Sequence, residues 1–358
     1  MAAAEHFIAR GNKCDAVRDY RGAIAEYTRA LEISPGFAAV YVNRAISLKR
    51  LGKLDEATAD CNRALAVNAK HTAALVLRAN ILQARGEIHA AIADLSRALT
   101  FEPQDGATLL ARSHAHGIAG DFSASLADAE RAVAVLPGRS IPYVARGRAK
   151  YLNKDTAGAL ADWDHAISID PNDVQALFNR ASARGAANEV ESAIEDYSRV
   201  IEVRPDLAHA YIERGVARES LGDLAGAVDD YSRVIERSRT TAAPHHMRGS
   251  VLLRTGESAG AIRDLTNALA LYSKDREPFE RRERAHQDKG NARAGAADSL
   301  RVRAIDGNRS LAYRERGRAF TALQQMSAAR QDFAAAEMLD RNSSNGSPAR
   351  QAVSHVAR

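Results

Sequence analysis

The side chains of this sequence best placed to do chemistry are arginines and carboxylates at a fixed spacing. Arg10, Arg44, Arg78, Arg112, Arg146, Arg180, Arg214, Arg248, Arg282 and Arg316 recur every 34 residues. Sixteen places after each stands an acid: Glu26, Asp60, Asp94, Asp128, Asp162, Asp196, Asp230, Asp264, Asp298 and Asp332. A guanidinium is always charged and presents a planar fork of N–H donors that matches a carboxylate. Two uses follow: a tie between helices made once per repeat, or a ladder of cations for an acidic ligand. The tie carries more weight, because residues that hold a scaffold recur whereas residues that select a partner vary. Exposed, each pair contributes ~0–1 kcal/mol, while losing one partner of a buried pair costs ~3–5 kcal/mol.

The other reactive side chains form no recognisable set. Eleven histidines invite a search for a metal centre, but His114 and His116 are two apart and diverge around a helix. His245 and His246 also face differently, and no cysteine or carboxylate group completes a site with His209 and His246. Cys14 and Cys61 fall at different repeat positions on apolar faces, which predicts buried thiols rather than a disulfide. Neither a phosphate-binding Gly-rich loop, a Gly-x-Ser-x-Gly elbow nor a His-Glu-x-x-His motif occurs. The chain reads as non-catalytic, with no cofactor, no metal and no small-molecule substrate.

The elements that position these residues follow from the same period. Ten repeats fill residues 4–343, starting at Ala4, Ala38, Thr72, Gly106, Ser140, Val174, Ala208, Ala242, Arg276 and Ser310. Position 20 is small throughout (Ala23, Ala57, Ala91, Ser125, Ala159, Ala193, Ala227, Ala261, Gly295, Ala329), as a helix crossing requires. Position 8 is small in every repeat except the ninth, which has Glu283. Apolar residues at positions 17, 24, 27 and 28 make one face of an amphipathic second helix. Gly at position 15, as in Gly52 or Gly290, ends the first helix in a left-handed conformation, and Pro35, Pro103, Pro137, Pro171 and Pro205 at position 32 end the second. Each repeat is helix, turn, helix, and none buries its apolar face alone, so the expected fold is an all-α solenoid. Residues 344–358 are either a short capping helix, begun by Ser347 and Pro348, or a disordered tail.

Asn43-Arg44-Ala45, Asn179-Arg180-Ala181, Glu195-Asp196-Tyr197 and Asp229-Asp230-Tyr231 carry a pattern that resembles the tetratricopeptide repeat family over nearly the whole chain. The resemblance implies a right-handed superhelix whose first helices line a concave groove for peptide segments or protein partners. It places positions 2, 5, 9, 12 and 13 on that groove. Position 5 then supplies an apolar ladder of Ile8, Val42, Val76, Leu110, Val144, Phe178 and Ile212, which either grips a peptide or seals neighbouring first helices. Asn12, Asn43 and Asn80 add amides that hold a bound backbone. Asn12 and Asn43 match the asparagine pair of the family's carboxylate clamp, but Ile8, Ala73 and Leu77 replace its cations. At the other end His246, Arg254, Arg284, Arg314 and Arg318 form a candidate site for an acidic ligand, unless Glu277, Glu280, Glu283 and Glu315 pair with them.

Charge sharpens the second function class. Of the net +5, most comes from residues 274–318, with 13 basic side chains against 8 acidic. That excess supports RNA binding by the arginine-rich last repeats as the alternative to a protein-interaction scaffold. Aromatic residues at 5% and an aliphatic position 5 weigh against base stacking and favour the scaffold. No apolar run approaches the ~18 residues of a membrane span, and Met-Ala-Ala-Ala-Glu-His-Phe lacks the features of a secretory signal, so a cytoplasmic location is expected. Repeat nine departs most from the columns, which marks it as the weakest unit.

Overall fold

Helices end where the columns place turns over most of the chain. The computed structural model describes residues 2–238, 240–288 and 292–345, with eighteen α-helices and no strand among the described residues. α1 (Ala2–Ala16) pairs with α2 (Tyr20–Ile33), α3 (Ala38–Arg50) with α4 (Leu54–Val67), and α5 (Thr72–Ala84) with α6 (Ile88–Phe101). α7 (Gly106–Ala119) pairs with α8 (Phe122–Val135), α9 (Ser140–Leu152) with α10 (Thr156–Ile169), α11 (Val174–Ala186) with α12 (Val190–Val203), and α13 (Ala208–Ser220) with α14 (Leu224–Arg237). α15 (Ala242–Arg254), α16 (Ser258–Asp288), α17 (Ala292–Ala322) and α18 (Met326–Asn345) complete the chain. Two compact halves, residues 1–180 and 181–358, are each built this way. The fold is an all-α solenoid, and no described helix is long and apolar enough to cross a membrane.

Size complementarity holds each hairpin. The small residues at position 20, from Ala23 to Ala261 and again at Ala329, are 0–1% exposed. Where position 24 carries a ring, position 8 is usually glycine: a Cβ on Gly147 would stand 2.6 Å from Trp163 Nε1, and one on Gly215 2.6 Å from Tyr231 Cε1. The turns need φ > 0 at position 15. Gly52, Gly86, Gly120, Gly222 and Gly256 supply it, and Arg18, Lys154, Asn188 and Gln324 adopt it without glycine's freedom. Asp19, Asp121, Asp155 and Asp223 then cap the second helices through N–H groups three residues on. Burial pushes the Cys61 thiol up to about 12, which keeps it protonated inside the first core cluster.

Repeat nine corrects the expectation of ten stacked hairpins. Its first helix is fused to the second helix of repeat eight in α16, and its second to the first helix of repeat ten in α17. Prolines end the second helices of five earlier repeats, and repeat two stops without one where Asn68 accepts from the Lys70 N–H at 3.0 Å. Repeats eight and nine have Ser273 and Gly307 at that place, and the helices run through. Pro278 lies inside α16, where it cannot give the Lys274 carbonyl its helical donor.

The fused helices run antiparallel. Arg276 Nε donates to Asp306 Oδ1 at 2.8 Å, and Arg316 Nη1 to Thr266 Oγ1 at 3.1 Å, two pairs in one register. Leu252, Ala261, Leu265 and Leu269 of repeat eight consequently share a core with Ala312 and Ala319 of repeat ten. Repeat ten stacks on repeat eight, and the backbone of repeat nine forms the remaining stretch of the α16–α17 hairpin. α18 ends at Asn345, and the tail from residue 346, with Ser347 and Pro348, lies outside the described residues.

Candidate functional site

Most arginines of the 34-residue column are consumed within the fold. Arg44 grips Asp60 through Nε and Nη2 at 2.7 and 2.8 Å, and Nη1 reaches Thr28 Oγ1 of the preceding repeat at 2.9 Å. Arg112 does the same with Asp128 and Ser96, and Arg248 with Asp264 and Ser232. Arg180 donates to Asp164 at 2.6 Å. The bond to the aspartate is the main reason that Arg44, Arg78, Arg146, Arg248 and Arg316 hold their protons more firmly than an ordinary guanidinium. At Arg44, Arg78, Arg112, Arg214 and Arg248 the tie therefore joins two helices of one repeat and, through position 25, the repeat before it. In the first repeat Arg10 is half exposed on Glu26, whose Oε2 is buried without a partner among the described residues.

One arginine of the first half behaves in the opposite way. A cavity of about 910 Å³ opens along α7, α9 and the start of α11, lined by Leu110, Ile141, Val144, Ile169 and Val174 on its apolar side and by His114, Arg148, Gln175 and Asn179 on its polar side. Arg148 is half-buried and has no hydrogen-bond or ion-pair partner among the described residues. Burial alone makes its guanidinium give up a proton more readily than usual, the reverse of the tied arginines. His114 lines the same space, and its pKa is lowered first by partial removal from water and then by the charge of Arg148.

Local sequence explains the missing partner. α7, α9 and α11 contain no aspartate or glutamate. The acids at the rim are committed to backbone: Asp173 accepts from the Gln175 and Ala176 N–H groups at 3.0 Å, and Asp170 from Asn172 N–H at 3.0 Å. Lys150, two residues past Arg148, is taken by Asp162 at 2.9 Å.

A family model described as tetratricopeptide repeat matches residues 3–66, 42–107 and 178–243. This chain is a tetratricopeptide repeat protein. Among solved structures it is similar to a tetratricopeptide repeat protein from Parabacteroides merdae, with TM-score 0.59 and 18% identity over 69% of this chain and 98% of that one. It is also similar to the Cut9–Hcn1 hetero-tetramer of APC/C, with TM-score 0.54 and 18% identity over 74% of this chain and 52% of that one. The type IV pilus biogenesis factor PilW matches with TM-score 0.52 and 18% identity over 56% of this chain and 92% of that one. At these identities the likeness is one of fold. Small glutamine-rich tetratricopeptide repeat-containing protein 2 of Mycosarcoma maydis is 37% identical over 57 residues, which span 16% of this chain and 16% of that relative.

In this tetratricopeptide repeat array the position-5 ladder is mostly withdrawn from solvent. Val42 and Val144 are 5% and 6% exposed, and Ile8, Val76, Leu110, Phe178 and Ile212 are half-buried. Ile8, Val42, Val76, Leu110 and Val144 pack in successive core clusters, so small aliphatics seal adjacent first helices, and Leu110 and Val144 also wall the cavity. Asn43 does meet Asn12, at 3.5 Å, but the same Asn12 oxygen already accepts from Tyr27 Oη at 2.8 Å. Asn80 is half-buried, and neither cation nor carboxylate stands with it among the described contacts.

The C-terminal candidates are largely spoken for. His246 is 9% exposed, with Nε2 3.0 Å from Glu315 Oε2 and Nδ1 3.1 Å from Tyr272 Oη, which corrects its placement on an open groove. Arg254 donates to Glu219 at 2.8 Å and Arg314 to Asp340. Arg318 is exposed, and the Arg284 side chain lies outside the described residues. The column reading passed over His114 and Arg148, both at position 9. No column marks them, for α3, α5, α7, α9 and α11 all lack an acid and that absence alone does not single out α7 and α9.

Proposed function

We propose that this chain is a non-catalytic protein-interaction scaffold, and that the inner face of repeats four to six takes an extended segment of a partner protein. The observation that carries the reading is the cavity itself: apolar walls beside a half-buried guanidinium that the fold leaves unpaired. Partial burial disfavours the charge of Arg148, so a complementary group brought from outside is favoured there. The RNA reading loses two of its cations to Glu219 and Asp340. Among the described residues no group of three or more metal-ligating side chains stands together.

A photo-crosslinker tests the face. Benzoylphenylalanine at Ile141, 62% exposed at the cavity, should capture one defined partner segment. The same group at Ala134, exposed on the second helix α8, should not. Capture of the same segment at Ala134 and not at Ile141 would remove the inner-face reading.

A further inference from the structure

Repeat ten occupies a place on repeat eight for which the chain holds a second claimant. Elsewhere a position-7 arginine reaches the position-25 side chain sixteen residues before it: Arg44 bonds Thr28, Arg112 bonds Ser96 and Arg248 bonds Ser232. By that rule Thr266 belongs to Arg282, yet it accepts from Arg316, fifty residues on. We infer that the chain has a second stacking register, in which α16 breaks before Arg276, α17 breaks before Ser310, repeat nine enters the stack between repeats eight and ten, and Thr266 passes from Arg316 to Arg282. The second register is independent of the docking face on repeats four to six.

Three features equip repeat nine to stack. Its hairpin already has the internal register of an ordinary repeat, since Arg276 meets Asp306 thirty residues on, as Thr72 meets Glu102 and Ser310 meets Asp340. Asp275 stands at position 34, where Asp105 and Asp173 cap α7 and α11 through N–H groups three residues on. Pro278 stands at position 3, the place of Pro142 and Pro244 in the first turns of α9 and α15. A first turn does not use the N–H that proline lacks, whereas the interior of α16 does.

Single residues hold the observed register. Leu300 replaces the position-25 acceptor, so repeat ten finds no such tie on repeat nine, and Ser273 and Gly307 replace the prolines that stop other second helices. Stacking repeat nine would cover Leu300, now 62% exposed, and would leave Arg316 with Asp332 alone. The first change favours the second register and the other opposes it. Opposing terms of this size let two packings of one sequence lie close in free energy.

The register decides what faces the inner side of repeat eight. Position 6 of one repeat meets position 9 of the repeat beneath it, as Asn43 meets Asn12, and Glu315 in this way takes the Ser250 hydroxyl at 2.7 Å and meets the His246 ring. In the second register position 6 is Arg281, so the closing carboxylate is withdrawn and a cation takes its place.

Spin labels at Asn267 on α16 and Gln331 on α18, both exposed, read the register in the full chain with Cys14 and Cys61 replaced by alanine. Double electron–electron resonance should show a major short distance and a minor one longer by about 10 Å, the thickness of one helix layer. Ser273→Pro with Gly307→Pro, which sets stops where five other repeats have them, should make the long distance the major one. Leu300→Ser restores the acceptor without adding proline, and should raise the long-to-short ratio about two- to tenfold, the effect of one hydrogen bond. Arg282→Met should suppress the long distance and leave the short one. A single short distance both in the parent and in the Leu300→Ser chain, with helical circular dichroism intact, overturns the inference. So does a single long distance in the parent, or a long population that Arg282→Met leaves unchanged.

Discussion

Asn179 on α11 and Glu315 on α17 occupy the same place in their repeats, and the two inner faces differ accordingly. Around Glu315 the fold neutralises itself: the carboxylate takes Ser250 and meets His246, while Glu219 and Asp340 take Arg254 and Arg314. On α7, α9 and α11 no residue is acidic, and Arg148 is left without a side-chain partner among the described residues. The C-terminal face has more cations in its sequence, yet the face with fewer is the one that leaves a half-buried guanidinium without a side-chain partner among the described residues. A count of basic residues is thus a poor guide to a site; the missing counter-charge is the better one.

Substitutions can break this contrast at several strengths. The largest effect is expected from Arg78→Met, which strips Asp94, 5% exposed, of its fork at 2.6 and 2.7 Å. Chemical denaturation should report a loss of about 3–5 kcal/mol, and a loss under 1 kcal/mol would put the tied arginines in the same class as Arg148. Glu315→Ala leaves the buried His246 ring without its carboxylate partner, while the Ser250 hydroxyl keeps the His246 carbonyl, so about 1–3 kcal/mol should be lost in the same assay. Asn179→Asp works in the other direction. By giving Arg148 a partner it should raise stability, by up to about 1 kcal/mol, and a fall would mean that the two residues do not face one another as the repeat geometry implies.

The smallest effect concerns pH. The pKa of His114 is lower in the folded chain than in the unfolded one, so on acidification the unfolded chain takes up the proton first. Stability is intact above the ordinary histidine value of about 6.5 and declines as pH falls through it toward the lowered folded value. His114→Gln should flatten that part of the difference curve against the parent chain. A steeper curve would reverse the assigned sign.

How much of this was legible in the sequence depended on repetition. The pairing of Arg44 with Asp60 and its later copies was legible because most repeats state it, and a wrong reading would have had to fail many times. The fusion of repeat nine was not, since it turns on single exceptions. Ser273 and Gly307 stand where proline stops other helices, and Leu300 replaces the polar position-25 acceptor, so Arg316 bonds Thr266 of repeat eight instead. The burial of Val42 and Val144 depended on how closely first helices approach, a distance set by neighbouring repeats rather than by the column itself. Arg148 escaped for a different reason. A lone cation has no pattern, and its significance lies in residues that are absent from α7, α9 and α11.

The central claim is that Arg148 is kept at the expense of the fold rather than for it. Thermal denaturation of Arg148→Met beside the parent chain tests this directly, because methionine keeps the apolar stem and removes the half-buried, unpaired charge. The account predicts a midpoint equal to or above that of the parent. A fall comparable to that of Arg78→Met would show that Arg148 holds the helices together, and would contradict it.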